Sequence, residues 1–135
     1  MPTLSDERLA LGSSADIVAL RQAVRAAAVE LRFSLVDQTK IVTAASELAR
    51  NALVYGGGGI ARVEGLLEGG RRGLRLTFED KGPGIPDLTL ALTDGWTSGK
   101  GMGVGLSGSR RLVNEFDIQS EPGKGTTVTV TRWTI

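Results

Sequence analysis

The sequence predicts an α+β domain, a two-layer α/β sandwich with helices packed on one face of a mixed or antiparallel sheet. Three observations carry this expectation. Two successive stretches in the first half repeat apolar residues at helical spacing, and the second half holds alternating runs joined by glycine turns. The order β-α-α-β-β-loop-α-β-β then groups the helices together instead of inserting one between each pair of strands. A chain of 135 residues without a repeat, linker or low-complexity tract is expected to form a single domain over 1–135.

Residues 7–12 read as a short first strand. Ser13 or Ser14, with Asp16, signals a helix start ahead of IVALRQAVRAAAVELR, whose Ile17, Leu20, Val24, Ala27 or Ala28, and Leu31 form one apolar stripe. Ser34-x-x-Asp37 resembles a capping box opening a second helix that runs to about Tyr55, with Val36, Ile41, Ala44, Ala45, Leu48 and Ala52 as its inner face. The four glycines 56–59 stop it. IARVEGLLE and GLRLTFED read as a hairpin joined by Gly69, Gly70 and Arg71 to Gly73, and the alternation of Leu74, Leu76 and Phe78 with polar residues leaves one sheet face wet or lightly covered. After DKGPGIPD, residues 88–100 show weak periodicity, a third helix is expected over about 104–116, and a second hairpin around EPGKG ends the chain.

Composition excludes several chemistries. With no cysteine and no histidine there are no disulfides, thiolate metal sites, cysteine nucleophiles, Ser-His-Asp triads or phosphohistidine relays. Sixteen basic against fifteen acidic residues, with few aromatic rings, argue against a nucleic-acid or anionic-membrane partner. No apolar run approaches the ~18 residues of a membrane span, so a cytoplasmic protein is expected.

Three segments carry the chemistry. GKGMGVGLSG, residues 99–108, contains Gly103-x-Gly105-x-x-Gly108, a pattern shared by dinucleotide folds and protein-kinase glycine loops. No strand runs into it, and no Walker A loop is present. In SELARN, Glu47 and Asn51 stand four apart and share one helix face. Such a pair is either the polar side of an amphipathic helix or a phosphoryl-transfer pair, the amide oxygen ligating Mg²⁺ and the carboxylate deprotonating a hydroxyl. In FEDKGPGIPD a strand runs into Asp80 and glycines, which is either a solvated turn or an adenine subsite, the carboxylate accepting a hydrogen bond from the base.

Together these segments resemble the GHKL ATPase superfamily, whose ATP site combines an E-x-x-x-N helix, a D-x-G-x-G loop after a strand and a G-x-G-x-G lid end. Here they are Glu47 to Asn51, Asp80-Lys81-Gly82-Pro83-Gly84, and Gly101-x-Gly103-x-Gly105. The resemblance covers about residues 14–133, and within the superfamily it leans towards small bacterial serine kinases of the RsbT type.

The resemblance implies a Bergerat-type ATP-binding fold, with ATP and Mg²⁺ as cofactors. Adenine would meet Asp80, Gly82, Gly84 and Thr126, the last in a Gly-Thr pair typical of the family. Asn51 would hold Mg²⁺ and Glu47 would act as catalytic base. Backbone N–H groups of Gly101, Gly103, Val104, Gly105 and Leu106 would hold phosphate oxygens, with Lys100 adding positive charge. Residues 88–100 become a lid, in which Trp96 either caps a small core or anchors a partner; Lys81 receives no role. The implied partners are a STAS-domain antagonist as substrate and a PPM-type serine phosphatase that the released kinase activates, within a stressosome-like assembly. Two alternatives remain: an anti-sigma factor kinase that sequesters a sigma factor, and a phosphatase-regulating adaptor without kinase activity.

Overall fold

A computed structural model of the chain describes residues 3–54, 56–82, 108–121 and 123–134. Its elements are β1 (Thr3–Leu11), α1 (Ser14–Glu30), α2 (Leu35–Val54), β2 (Gly59–Glu68), β3 (Arg71–Asp80), β4 (Glu115–Glu121) and β5 (Gly125–Thr134). The strands form one five-stranded sheet in the order β1-β2-β3-β5-β4. Every pairing is antiparallel, which resolves the mixed-or-antiparallel expectation.

Local chemistry explains both helices. Ser13, in extended conformation, caps α1 by accepting from the Asp16 N–H. At its far end Arg32 takes a left-handed φ of 62°, so that the Phe33 N–H returns to the Ala28 carbonyl at 2.9 Å. Arg72 on the sheet donates to the Leu31 carbonyl at 2.7 Å, satisfying another acceptor at that end. The Ser34 hydroxyl accepts from the Asp37 N–H at 3.1 Å, as the capping box predicts.

The core lies between the helix pair and one face of the sheet. Leu20, Val24 and Ala28 of α1 and Ile41, Ala45, Leu48 and Ala52 of α2 meet Ala61, Val63, Leu74, Leu76, Phe78, Val128 and Val130. Val36 is the exception among the predicted inner residues, being 62% exposed. Five residues separate it from Ile41, which turns it about 140° away from the buried stripe. The other sheet face carries Arg62, Glu64, Arg75, Thr77, Glu79, Thr127, Thr129 and Thr131, and no described element covers it.

Three boundaries move. The first strand starts at Thr3, before residue 7, because its pairing to β2 continues past the charged Asp6-Glu7-Arg8 to Thr3↔Leu66. The third helix does not reach Phe116. Only residues 108–111 are helical in its described part, and Phe116 belongs to β4, opposite Val130. Phe116 and Ile118 pack against the core while Glu115, Asp117 and Gln119 stay exposed, a period of two that only a strand can satisfy. The β2–β3 hairpin turns at Gly69 and Gly70 alone, with φ of 57° and 82°, the left-handed pair of a two-residue loop; Arg71, Arg72 and Gly73, expected in the connection, already belong to β3, paired with Glu68, Leu67 and Leu66.

Candidate functional site

The site is built where the end of α2 meets the end of β3. Asp80 closes β3 opposite Thr126 of β5, on the same side of the sheet as Phe78 and Val128 and therefore towards the helices. Its Oδ1 accepts from the Gly82 N–H at 2.9 Å, closing a two-residue turn. Burial pushes the Asp80 carboxyl above its ordinary range, an effect that outweighs the backbone N–H bonds from Gly82 and Thr126.

The chain around Asp80 is too tight for side chains. A Cβ on Gly56 would collide with the Asp80 side chain and stand 2.7 Å from the Ala52 carbonyl oxygen. Gly82 packs on Gly56, where a Cβ would lie 2.6 Å from the Gly56 Cα. Gly125, with φ of 94°, lies against the Asp80 carbonyl, and a Cβ there would sit 2.8 Å from the Lys81 Cα. Gly125 belongs to the expected Gly-Thr pair, whereas Gly56 was legible only as a helix stop. Ser120 is a further residue the motifs do not mark. Its hydroxyl lies 2.8 Å from Thr126 Oγ1 across the β4–β5 pair and fixes the threonine, a role no local spacing signals.

Gly56 also ties this floor to α2, because its N–H donates to the Asn51 carbonyl at 3.2 Å. Asn51 and Glu47 are both partly buried on α2, one turn apart as their spacing predicts. The Asn51 side-chain Nδ2 is buried without a hydrogen-bond partner among the described residues. An amide left in that state costs about 1–3 kcal/mol, so it marks a place where a ligand oxygen would be stabilising.

That orphaned amide tests the fit to Mg²⁺ and a triphosphate. Its N–H₂ matches a phosphate oxygen, and its carbonyl oxygen is a ligand of the hard type Mg²⁺ takes. Among the described residues no three acidic side chains converge, so a cation here would rely on Asn51, phosphate oxygens and water. The residues present fit the group. A cleft of about 540 Å³ opens at this end of the sheet, and Gly56, Asp80, Lys81 and Lys124 are among its lining residues. It shares Asp80 and Gly56 with the corner described above and extends to Glu79 and Thr127 of the uncovered face.

Of the expected site residues, the structure thus brings Asn51, Asp80, Gly82 and Thr126 around one corner, with Glu47 a turn away. Gly84, Trp96, Lys100, Gly101, Gly103, Val104, Gly105 and Leu106 lie outside the described residues, as does the lid over 88–100.

Residues 36–133 match the family described as histidine kinase-, DNA gyrase B- and HSP90-like ATPases. The chain belongs to this ATPase family. It is 46% identical over 118 residues to the serine/threonine-protein kinase RsbT of Bacillus subtilis, covering 87% of this chain and 89% of that one. It is also 31% identical over 115 residues to an anti-sigma F factor of Geobacillus kaustophilus, covering 80% and 77% of the two chains. The structure of the RsbU and RsbW domains of a Mycobacterium tuberculosis protein shares the fold, with a TM-score of 0.66 at 24% identity. That match covers all of this chain and 34% of the other. Likeness to the RsbT kinase along nearly the whole of both chains makes this member of the ATPase family a protein serine/threonine kinase. No helix among the described residues is long and apolar enough to cross a membrane.

Proposed function

We propose that the chain transfers the γ-phosphoryl group of ATP to a serine of a STAS-domain antagonist in a partner-switching pathway. The observation that carries the reading is the buried, unpartnered amide of Asn51 one helical turn from the Glu47 carboxylate. Adenine lies against Asp80, Gly82, Gly84 and Thr126, where the Asp80 carboxyl accepts from its amino group. The Asn51 amide meets the phosphates, and its oxygen would hold Mg²⁺, which would neutralise charge on the transferring group. Lys100, Gly101, Gly103, Val104, Gly105 and Leu106 supply the remaining phosphate contacts.

Glu47 accepts the proton of the seryl hydroxyl. The serine oxygen bonds to the γ-phosphorus as its bond to the β–γ bridging oxygen breaks, and ADP leaves. The unphosphorylated antagonist holds the kinase; phosphorylation releases it to bind and activate a PPM-type serine phosphatase, in a stressosome-like assembly.

The decisive experiment incubates the protein with ATP, Mg²⁺ and a STAS-domain protein and maps phosphoserine by mass. Absence of both nucleotide binding and transfer would end this reading. A second reading, an anti-sigma factor kinase, is favoured by the identity to anti-sigma F factors. Co-purification of a sigma factor would select it over the first.

A further inference from the structure

Half-buried between sheet and helices, the Arg132 guanidinium holds two separate parts of the chain. Its Nε donates to Asp37 Oδ1 at 3.2 Å, a second nitrogen donates to the same oxygen, and the third donates to the Leu112 carbonyl at 2.9 Å. Asp37 lies in the first turn of α2. Leu112 directly follows the helical residues 108–111, and its own N–H bonds to the Ser109 carbonyl at 3.0 Å. One side chain on β5 therefore fastens both the start of α2 and the segment that leads out of the glycine-rich stretch.

This geometry acts at a distance because a helix is a rod. Asn51 lies fourteen residues beyond Asp37 in α2, about 21 Å along the axis, so a tilt of about 3° at the base moves its amide by about 1 Å. Displacements of that size are costly for groups that must meet a ligand. We propose that Arg132 is a positioning residue, setting the tilt of α2 and hence the placement of Asn51 and Glu47 against the segment before Leu112. The inference rests on the nucleotide reading given above for those two residues.

A purely structural ion pair would stabilise the domain without touching nucleotide affinity, and the protein carries an internal control of that kind. On the uncovered face Arg75 holds the buried Glu64 carboxylate through two bonds of 3.2 and 3.1 Å. The test measures MgATP affinity by calorimetry, together with Tm, for the wild type, Arg132→Gln, Arg132→Lys, Asp37→Asn and Arg75→Gln. Lysine retains the charge opposite Asp37 but not the fork that also reaches Leu112.

A positioning role predicts that Arg132→Gln weakens MgATP binding about 10-fold, as loss of an outer partner of a ligand-holding group typically does. Arg132→Lys and Asp37→Asn fall between it and the wild type, and Arg75→Gln lowers Tm with Kd within about twofold of wild type. The inference is overturned if all the Arg132 and Asp37 variants keep wild-type affinity while losing Tm as Arg75→Gln does. Should Arg132→Gln fail to fold, the lysine and Asp37 variants decide alone. A wild type that does not bind MgATP overturns the nucleotide reading itself and the inference with it.

Discussion

The two ends of the β3–β5 pair are built from the same materials and finished oppositely. At one end Gly73 faces Trp133, whose indole fills the space a Cβ would take, the nearest ring carbon being 2.5 Å from that position. The ring is then completed on every side. Arg71 stacks 4.3 Å from its centre, Glu115 accepts from the indole N–H, and the Trp133 N–H donates to Asn114 Oδ1 at 2.7 Å. At the other end Asp80 faces Thr126 among glycines, its carboxyl pushed up by burial, with the unpartnered Asn51 amide nearby. Stability is concentrated where polar groups are satisfied. The end proposed to bind nucleotide is the one that leaves a polar group unmatched, where a ligand's hydrogen bond would recover the cost of burying it.

The contrast can be broken at either end. The largest expected effect is on chemistry: Glu47→Ala should lower phosphoryl transfer about 10²- to 10⁴-fold in a single-turnover assay, with MgATP still bound in calorimetry. Next comes Trp133→Ala, which should destabilise the domain by about 3 kcal/mol in urea unfolding and leave MgATP affinity unchanged. Equal loss of affinity would mean the two ends are not independent. Gly56→Ala should act at the other end. It forces a methyl group into Asp80 at a cost of about 1–3 kcal/mol, and it should also abolish measurable nucleotide binding, which an equally destabilising Gly73→Ala should not.

The smallest effects concern pH and have opposite signs at two aspartates. The raised pKa of Asp80 means that folding is disfavoured once pH rises above the ordinary carboxylate range, since the buried group must then ionise. Asp80→Asn should therefore raise the Tm of the nucleotide-free protein at pH 7, and not at pH 3, and on the adenine reading proposed above it should also weaken ATP binding. At Asp37 the bonds from Arg132 hold the carboxyl below its ordinary range despite partial burial, with Ser34 and Lys40 adding to the effect. Its stabilisation is present above the ordinary range and lost as pH falls through the lowered pKa, so Asp37→Asn should lower Tm at pH 7 and converge with wild type in acid.

Much of this was legible along the chain. The helix starts at Ser13 and Ser34, the buried stripes of α1 and α2, the Gly69-Gly70 hairpin and the Glu47/Asn51 spacing depend on interactions within a few residues, and the sequence writes such interactions directly. The end of the third helix is not legible in the same way, because Leu112, Val113 and Phe116 suit a helical stripe as well as a strand. Pairing with β5 decided for the strand.

By itself, then, the sequence determined the element order, the fold class and the motif that identifies the ATPase family, because each is a local pattern of periodicity, caps or spacing. Tertiary structure alone decided that Gly56 must be a glycine, that Ser120 holds Thr126, that Asp80 resists ionisation and that Arg132 joins α2 to Leu112. Close approach, desolvation and long-range pairing are properties of space between residues far apart in the chain, as with Asp37 and Arg132, and no local pattern encodes them.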